Sequence, residues 1–409
     1  MESIGLRGDQ LNETFFADVC MGYLRYRGRT VMPQEIAILS IKREALGSSQ
    51  GIISSLTKSS EDRITGHILV CVTWKFEGEL RESRFVIKSK ITGSEIRAAR
   101  EKVWQKFDSV LATKMGGVSP FILDQCHLRE PALYKNFQSV LEPVLPEIYK
   151  TWIDEEKNIF VVVMEQLDQV KHLETINDLD QWSYDDVDAV LRGVAQVHGK
   201  FLGNWSSVNS GEKYFESFDA INNASFLEFN RELLRYCTAS FPDVFTAKRA
   251  KLLKNTMDLT TERRALISKM PLTLIHGDLT PRNVCLKTAS TPARLCAYDW
   301  ELAQTHLPQR DICEFLCYVA RPELLDDPRW FANLLRSYKN ELILHSGRHI
   351  EDSDFISGFW LALQEFACTK LLVQGVSHKQ LSNPAYFYRL LNNAFHLLEK
   401  GPAEFKAAH

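Results

Sequence analysis

The sequence is poor in the features that mark several protein classes. It has no strong charge of either sign: 49 Lys and Arg against 52 Asp and Glu leave a net charge of −3. A general nucleic-acid binder carries a basic excess, so that class is set aside. No uninterrupted apolar run approaches the roughly 18 residues that span a bilayer. The longest, such as Ile159 to Met164, are strand-sized. The opening Met1-Glu2-Ser3-Ile4-Gly5 lacks the basic and apolar stretches of a signal peptide, so a cytoplasmic protein with no membrane span is expected. Internal repeats and low-complexity tracts are absent. The nine cysteines form no C-x-x-C pair, and the closest two, Cys313 and Cys317, stand four apart in a helical pattern. A metal site needs more ligands at short spacing, so reduced, buried thiols are the expectation.

What is present is an ordinary globular composition, 45% hydrophobic and 25% charged, over 409 residues. That is enough for two domains or one large two-lobed unit with a full core. The spacing of Phe15, Phe16, Val19 and Tyr23 predicts a packing helix over Leu11 to Arg25. Strands follow at Ile36 to Ile41, His67 to Phe76 and Arg84 to Lys90, with a small-residue turn at Gly47 to Gly51 and Gly78 in the turn between the last two. A helix carries Ile96, Val103, Phe107, Val110 and Leu111 on one face, and another is expected to begin near Glu130-Pro131, where a first turn tolerates proline. Asn158 to Met164 reads as a strand buried on both faces.

Beyond Leu167 the helical period dominates, at Val187 to Phe201, Phe226 to Tyr236, Phe331 to Leu344, Phe355 to Leu372 and Tyr386 to Leu398. Two short strands interrupt it, near Leu272 to Ile275 and Leu295 to Tyr298. The layout is α+β: a strand-rich N-lobe over 1–167, holding an inserted helix and loop at 94–127, and a mostly helical C-lobe over 168–409.

The chemistry sits at Leu274-Ile275-His276-Gly277-Asp278-Leu279-Thr280-Pro281-Arg282-Asn283. An apolar strand delivers an Asp, and an Asn follows five residues later. That is the H-x-D-x-x-x-x-N spacing of a kinase catalytic loop, in which the Asp accepts the proton of a substrate hydroxyl and the Asn binds Mg²⁺. A short loop of this length lets two side chains from one segment reach nucleophile and metal together. Twenty-one residues after Asp278, the strand Cys296-Ala297-Tyr298 delivers Asp299, at the position of a second metal-binding Asp. Each residue alone has a structural alternative as a turn, cap or Asx-turn residue. All three in this order do not. Upstream, Phe85-Val86-Ile87-Lys88 matches the strand lysine that contacts the α- and β-phosphates, although a strand lysine alone is most often a solvated one. Ser48 and Ser49 stand where a phosphate-covering turn belongs, without the G-x-G-x-x-G pattern.

These motifs resemble those of the aminoglycoside phosphotransferase and choline kinase-like enzymes, and among them the ecdysteroid-kinase-like branch. The likeness is carried by His276 to Asn283, Tyr298-Asp299-Trp300-Glu301 and Asp311-Ile312-Cys313-Glu314-Phe315-Leu316. Arg129-Glu130-Pro131-Ala132-Leu133-Tyr134 and Leu145-Pro146-Glu147-Ile148-Tyr149 support it. The resemblance covers about residues 38–320 and implies a protein-kinase-like fold using ATP and Mg²⁺. It implies Asp278 as base, Asn283 and Asp299 as Mg²⁺ ligands, and Lys88 paired with a helix glutamate. Glu130 is favoured for that pairing, although it lies 42 residues after Lys88, with Glu95 and Glu101 nearer.

Gly277 stands where protein kinases have the Arg of H-R-D, only eleven residues separate Asp299 from Asp311, and no A-P-E follows. A peptide-docking segment does not fit, so the expected acceptor is a small hydroxylated molecule. ATP is expected between the lobes, with its adenine against Glu165, Gln166 and Leu167. The rival readings are a pseudokinase scaffold acting through protein partners, and nucleotidyl transfer on the same fold. Asp311 is expected to cap the helix after it, His198 to be a packed histidine, and His276 to orient the loop without transferring protons. Phe355, Phe359, Trp360, Leu363, Phe366, Leu371 and Leu372, with Tyr386, Phe387, Phe395 and Leu398, read first as core. If some of them line the acceptor site, the substrate is a largely apolar alcohol.

Overall fold

Five β-rich segments pair entirely antiparallel in the computed structural model: β1 (Ala37–Glu44), β2 (Gly66–Phe76), β3 (Glu79–Ser89), β4 (Ile148–Asp154) and β5 (Ile159–Glu165), in the order β1-β2-β3-β5-β4. The structure describes residues 5–44, 63–116, 125–172, 180–204, 224–289, 292–381 and 384–407. Two compact units emerge, residues 1–102 with 123–168, and residues 103–122 with 169–409. Residues 103–122, read from sequence as part of the N-lobe, therefore cluster with the second unit; Trp104 packs edge-on against Phe229, 5.6 Å between centroids.

The first unit is built around its sheet. The β2–β3 hairpin turns at Glu77-Gly78, both at positive φ (50° and 82°), which is the two-residue turn whose twist matches the strands. Helix α1 (Glu13–Arg25), capped by Asn12, packs Phe15, Phe16, Val19, Cys20 and Leu24 onto Val70, Val72, Trp74, Phe85 and Ile87. It approaches closely at Gly22, where a Cβ would come 2.1 Å from the carbonyl oxygen of Tyr149, so only glycine fits. β5 lies between β3 and β4, and alternate residues face opposite layers. Ile159, Val161 and Val163 join the α1 core, while Phe160 meets the His127 ring at 4.5 Å. Its unbroken apolar run has this physical cause.

Helices α2 (Gly93–Phe107) and α3 (Ser109–Gly116) follow β3, then α4 (Cys126–Leu141). Helix α4 starts one turn earlier than the proline suggests, so Pro131 lies inside it rather than in its first turn. Burial of Leu128, Leu133, Tyr134 and Phe137 outweighs the one backbone hydrogen bond that proline cannot make.

The second unit holds two small sheets, β6 (Val170–Lys171) with β8 (Val284–Lys287) and β9 (Arg294–Ala297), and β7 (Thr273–Ile275) with β10 (Gln304–His306). Around them run α5 (Tyr184–Phe201), α6 (Ala224–Ser240), α7 (Ala247–Asp258), α8 (Thr260–Ile267), α9 (Gln309–Val319), α10 (Pro322–Leu325), α11 (Pro328–Ser346), α12 (Asp352–Phe366), a π-helical turn (Ala367–Leu371), α13 (Leu372–Leu381) and α14 (Pro384–Ala407). A Ser183–Asp186 capping box starts α5, and every residue of α9 is buried. The helix expected to end at Leu372 instead continues through the π turn to Leu381.

The stretch Asp352–Lys379 is long and apolar enough to cross a membrane by length and composition, contrary to the count of uninterrupted runs; 61% of that window is buried inside the protein, as in a core helix. All nine cysteines are free and buried.

Candidate active site

Strand β7 is wholly buried and pairs antiparallel with β10, which fixes where the chain leaves the sheet at His276. Gly277 then takes φ +75°, and a Cβ there would stand 2.2 Å from the carbonyl oxygen of Leu302. Glycine at this position is thus a requirement of two independent kinds, conformational and steric. The His276 ring is fully buried. Its Nε2 donates to the carbonyl of Tyr298 at 3.0 Å, and its Nδ1 accepts the backbone N–H of Asp278 at 3.2 Å. With the ring proton fixed on Nε2, both nitrogens are used in shaping the loop, as the sequence reading expects.

Asn283 closes the loop. Its Nδ2 donates to Asp278 Oδ2 at 2.7 Å and to the Asp278 carbonyl at 2.9 Å. Its backbone N–H reaches the carbonyl of Thr280 at 2.9 Å, and its own carbonyl accepts from Tyr298 N at 3.0 Å. The β8–β9 pairing of Val284 with Ala297 explains that last contact and brings Asp299, two residues further on, beside the loop. Asp299 sits at φ 66°, ψ 51°, a left-handed conformation that costs a non-glycine residue energy and is met at functional positions. Trp300 is buried and donates from Nε1 to the carbonyl of Ala297 at 3.1 Å.

The loop hangs on Asp311. The backbone N–H groups of His276 and Gly277 donate to its two carboxylate oxygens at 2.7 and 2.9 Å, and His198 Nε2 donates at 3.2 Å. Tyr338 holds the other ring nitrogen of His198 at 2.6 Å. Helix-capping by Asp311 is therefore corrected: Pro308 stands at the N-cap of α9 and no side chain caps it. Full burial works against the Asp311 carboxylate, but the hydrogen bond from His198 and those from the loop hold it down at about 2. His198 is packed, as expected, and is also part of this brace.

In the first unit, Lys88 projects from β3 to Glu130 of α4, 2.8 Å away. Lys90, which sequence reasoning missed, meets the same oxygen at 2.8 Å, and Tyr134 donates its hydroxyl to the other at 2.9 Å. Glu130 is wholly buried, which opposes its charge, yet the two ammonium groups hold its carboxyl well below the usual range. Glu95 is committed elsewhere: Arg63 pairs with it, and it accepts from the N–H and hydroxyl of Thr92, both at 2.8 Å. The signal for Lys90 was its place two residues after Lys88, on the same side of an extended chain.

Glu165, expected against adenine, is tied to the neighbouring strand through two of its groups. Its N–H pairs with the carbonyl of Glu147 at 2.9 Å, and its carboxylate accepts the N–H of Glu147 at 2.8 Å. Leu167 is half-buried, and Ser48 and Ser49 lie outside the described residues.

The residues fit a divalent cation held partly by phosphate. With Nδ2 turned to Asp278, the Asn283 Oδ1 would be the atom left to coordinate, and Asp299 would offer a carboxylate. Mg²⁺ sites are commonly built from one or two such ligands plus substrate phosphates. Among the described residues, no group of three or more His, Cys, Asp and Glu side chains is arranged as a metal cage.

The profile of the ecdysteroid kinase-like family matches residues 131–349, more than half of the chain and the whole of the catalytic loop. The chain belongs to the ecdysteroid kinase-like family. No curated protein matches it. Among solved structures, it is similar to a Ralstonia eutropha protein described as an aminoglycoside phosphotransferase (13% identity, 94% of this chain and 98% of that one, TM-score 0.47). It is also similar to the ethanolamine kinase of Plasmodium vivax (14%, 94% and 89%, TM-score 0.44) and the choline kinase of Cryptosporidium parvum (12%, 95% and 95%, TM-score 0.44). The family match agrees with the resemblance read from His276 to Asn283.

Proposed function

We propose that this member of the ecdysteroid kinase-like family transfers the γ-phosphate of ATP, with Mg²⁺, to a hydroxyl of a small molecule. The observation that carries the reading is the Asp278–Asn283 pair, joined at 2.7 Å on a loop whose backbone is held by a buried carboxylate. Such a loop keeps its reactive side chains in place before substrate arrives, which is where positioning catalysis finds its rate.

Asp278 accepts the proton of the acceptor hydroxyl and aims its oxygen. Asn283 holds Asp278 through its amide hydrogens and offers its carbonyl oxygen to the metal, with Asp299 as the second ligand. Lys88, kept in place by Glu130, takes the charge of the phosphates. Mg²⁺, when bound, neutralises the phosphate oxygens and orients the terminal phosphoryl group. His276 and Asp311 take no part in proton transfer; they set the angle of the loop. The missing peptide-docking segment after Asp299 supports a small acceptor.

The test is Asp278→Asn. Thermal-shift titration with ATP and Mg²⁺ should still report binding, while Mg²⁺-dependent ATP turnover falls on the order of 10²-fold or more. Turnover within a few-fold of wild type would refute the role of Asp278. A phosphorylated product detected by mass, rather than an adenylylated one, separates phosphoryl from nucleotidyl transfer.

A further inference from the structure

Asp278 has a cationic neighbour that its motif does not contain. Lys370 Nζ contacts Asp278 Oδ1, and also donates to Glu314 Oε1 at 2.6 Å and to the carbonyl of Gly277 at 2.8 Å. All three ammonium hydrogens are engaged. Lys370 comes from the π turn between α12 and α13, a rare geometry that recurs at functional sites. Glu314, fully buried in α9, anchors it while pairing with Arg310 at 3.1 Å and accepting from Gln374 at 2.6 Å.

The two carboxylates that Lys370 touches are each matched by a cation. Lys370 answers Asp278, and Arg310 answers Glu314. Arg282 and Lys370 both act on buried His378, whose pKa burial and these cations lower to about 4, so that ring is neutral at physiological pH. No anionic surplus is left among these groups to receive an ammonium.

We infer that Lys370 is the specificity-determining cation of the acceptor site, and that the acceptor is an alcohol with no positive charge near its reacting hydroxyl. The inference rests on the phosphotransferase reading above. In the transfer, the acceptor oxygen bonds to the γ-phosphorus, its proton passes to Asp278, and the bond to the β,γ-bridging oxygen breaks, releasing ADP. A hydroxyl that reaches Asp278 comes within reach of Lys370, because both touch one carboxylate. An ammonium attached close to that hydroxyl meets a like charge held in place by a buried anion. A neutral alcohol, or one with an oxygen acceptor beside the hydroxyl, does not.

The experiment compares choline with 3,3-dimethylbutan-1-ol, its uncharged isostere, as phosphate acceptors. Mg²⁺-dependent ATP hydrolysis is read in parallel, with wild type, Lys370→Met, Lys370→Gln and Lys370→Arg. Wild type should favour the neutral alcohol at least tenfold in kcat/KM. Lys370→Met and Lys370→Gln should shrink that ratio about tenfold, and Lys370→Arg should keep it. A purely structural role would lower both rates and leave the ratio alone. Equal use of the two alcohols by wild type, transfer to neither while ATP is hydrolysed, or a ratio unmoved in Lys370→Met and Lys370→Gln overturns the inference. If Lys370→Met does not fold, Lys370→Gln and the wild-type ratio still decide it. Absence of any Mg²⁺-dependent ATP turnover in wild type overturns the proposed function itself.

Discussion

Replacing Asp311 by Asn tests whether the catalytic loop is held from behind. The wild-type carboxylate receives three donors, at 2.7, 2.9 and 3.2 Å, with no exposure to solvent. Asn keeps one oxygen and presents NH₂ where the other stood, so one backbone N–H faces a donor whichever way the amide lies. Losing a hydrogen bond to a charged group costs about 1.5–3 kcal/mol, and stranding its buried partner adds about 1–3. A loss of about 2.5–6 kcal/mol follows, against about 5–15 for a whole domain. The expected fall in Tm is on the order of 10 °C. Turnover should fall by about 10- to 100-fold even where the protein is fully folded, because Asp278 follows directly on the two anchored N–H groups. The pH dependence has a definite sign. Asp311 sits at about 2 in the folded protein against an ordinary 3.8, so its contribution is complete above pH 4 and is lost as pH falls towards 2. The stability gap between wild type and variant should be flat from pH 5 to 8 and close only below about 4. Urea unfolding across that range, with steady-state kinetics, measures both. A Tm within about 2 °C of wild type together with turnover within twofold would refute the brace.

Gly277→Ala should abolish turnover and lower stability by more than the roughly 1–2 kcal/mol of a left-handed alanine, since its methyl meets the Leu302 carbonyl at 2.2 Å. Gly28→Ala, at φ +71° with nothing within 4 Å, should show the backbone cost alone, and equal losses at the two positions would contradict the steric argument. Glu130→Gln should weaken ATP binding by calorimetry at least tenfold while Mg²⁺ dependence survives; unchanged affinity would remove Glu130 from the nucleotide site.

The pattern legible in the sequence was the one carried by short-range spacing. Period-2 and unbroken apolar runs marked β2, β3 and β5, and the Asp278–Asn283 interval marked the loop, because each signal is written within about ten residues. What stayed hidden depends on distant parts of the chain. Nothing in Asp311-Ile312-Cys313 says that its carboxylate will bind the backbone of His276, 35 residues earlier; an Asp just before an apolar helix looks like a cap from sequence alone. Glu165 ends an apolar strand, and nothing near it says that its N–H and carboxylate will both meet Glu147, 18 residues back. Pro131 misled for a related reason, since a proline marks a helix start only where tertiary burial does not extend the helix past it.

The aromatic rows of the late helices are core, as they read first from the sequence. Phe355, Phe359, Leu363 and Phe366 on α12, and Tyr386, Phe387, Phe395 and Leu398 on α14, are 0–4% exposed and form the core of the second unit, so they give no support to an apolar acceptor. Their period hid a second one of lower hydropathy. Lys370, Gln374 and His378 recur every four residues and so share one helix side. Lys370 bonds Asp278 and Glu314, Gln374 bonds the same pair at 3.4 and 2.6 Å, and His378 Nε2 pairs with the Tyr318 hydroxyl at 2.8 Å. An apolar stripe is required of any core helix and therefore carries little information about function. A polar stripe on a helix that is otherwise buried has to be matched partner by partner, and here its first two partners are the proposed base and the carboxylate behind it. Acceptor choice is therefore to be sought along Lys370, Gln374 and His378 rather than along the aromatic rows.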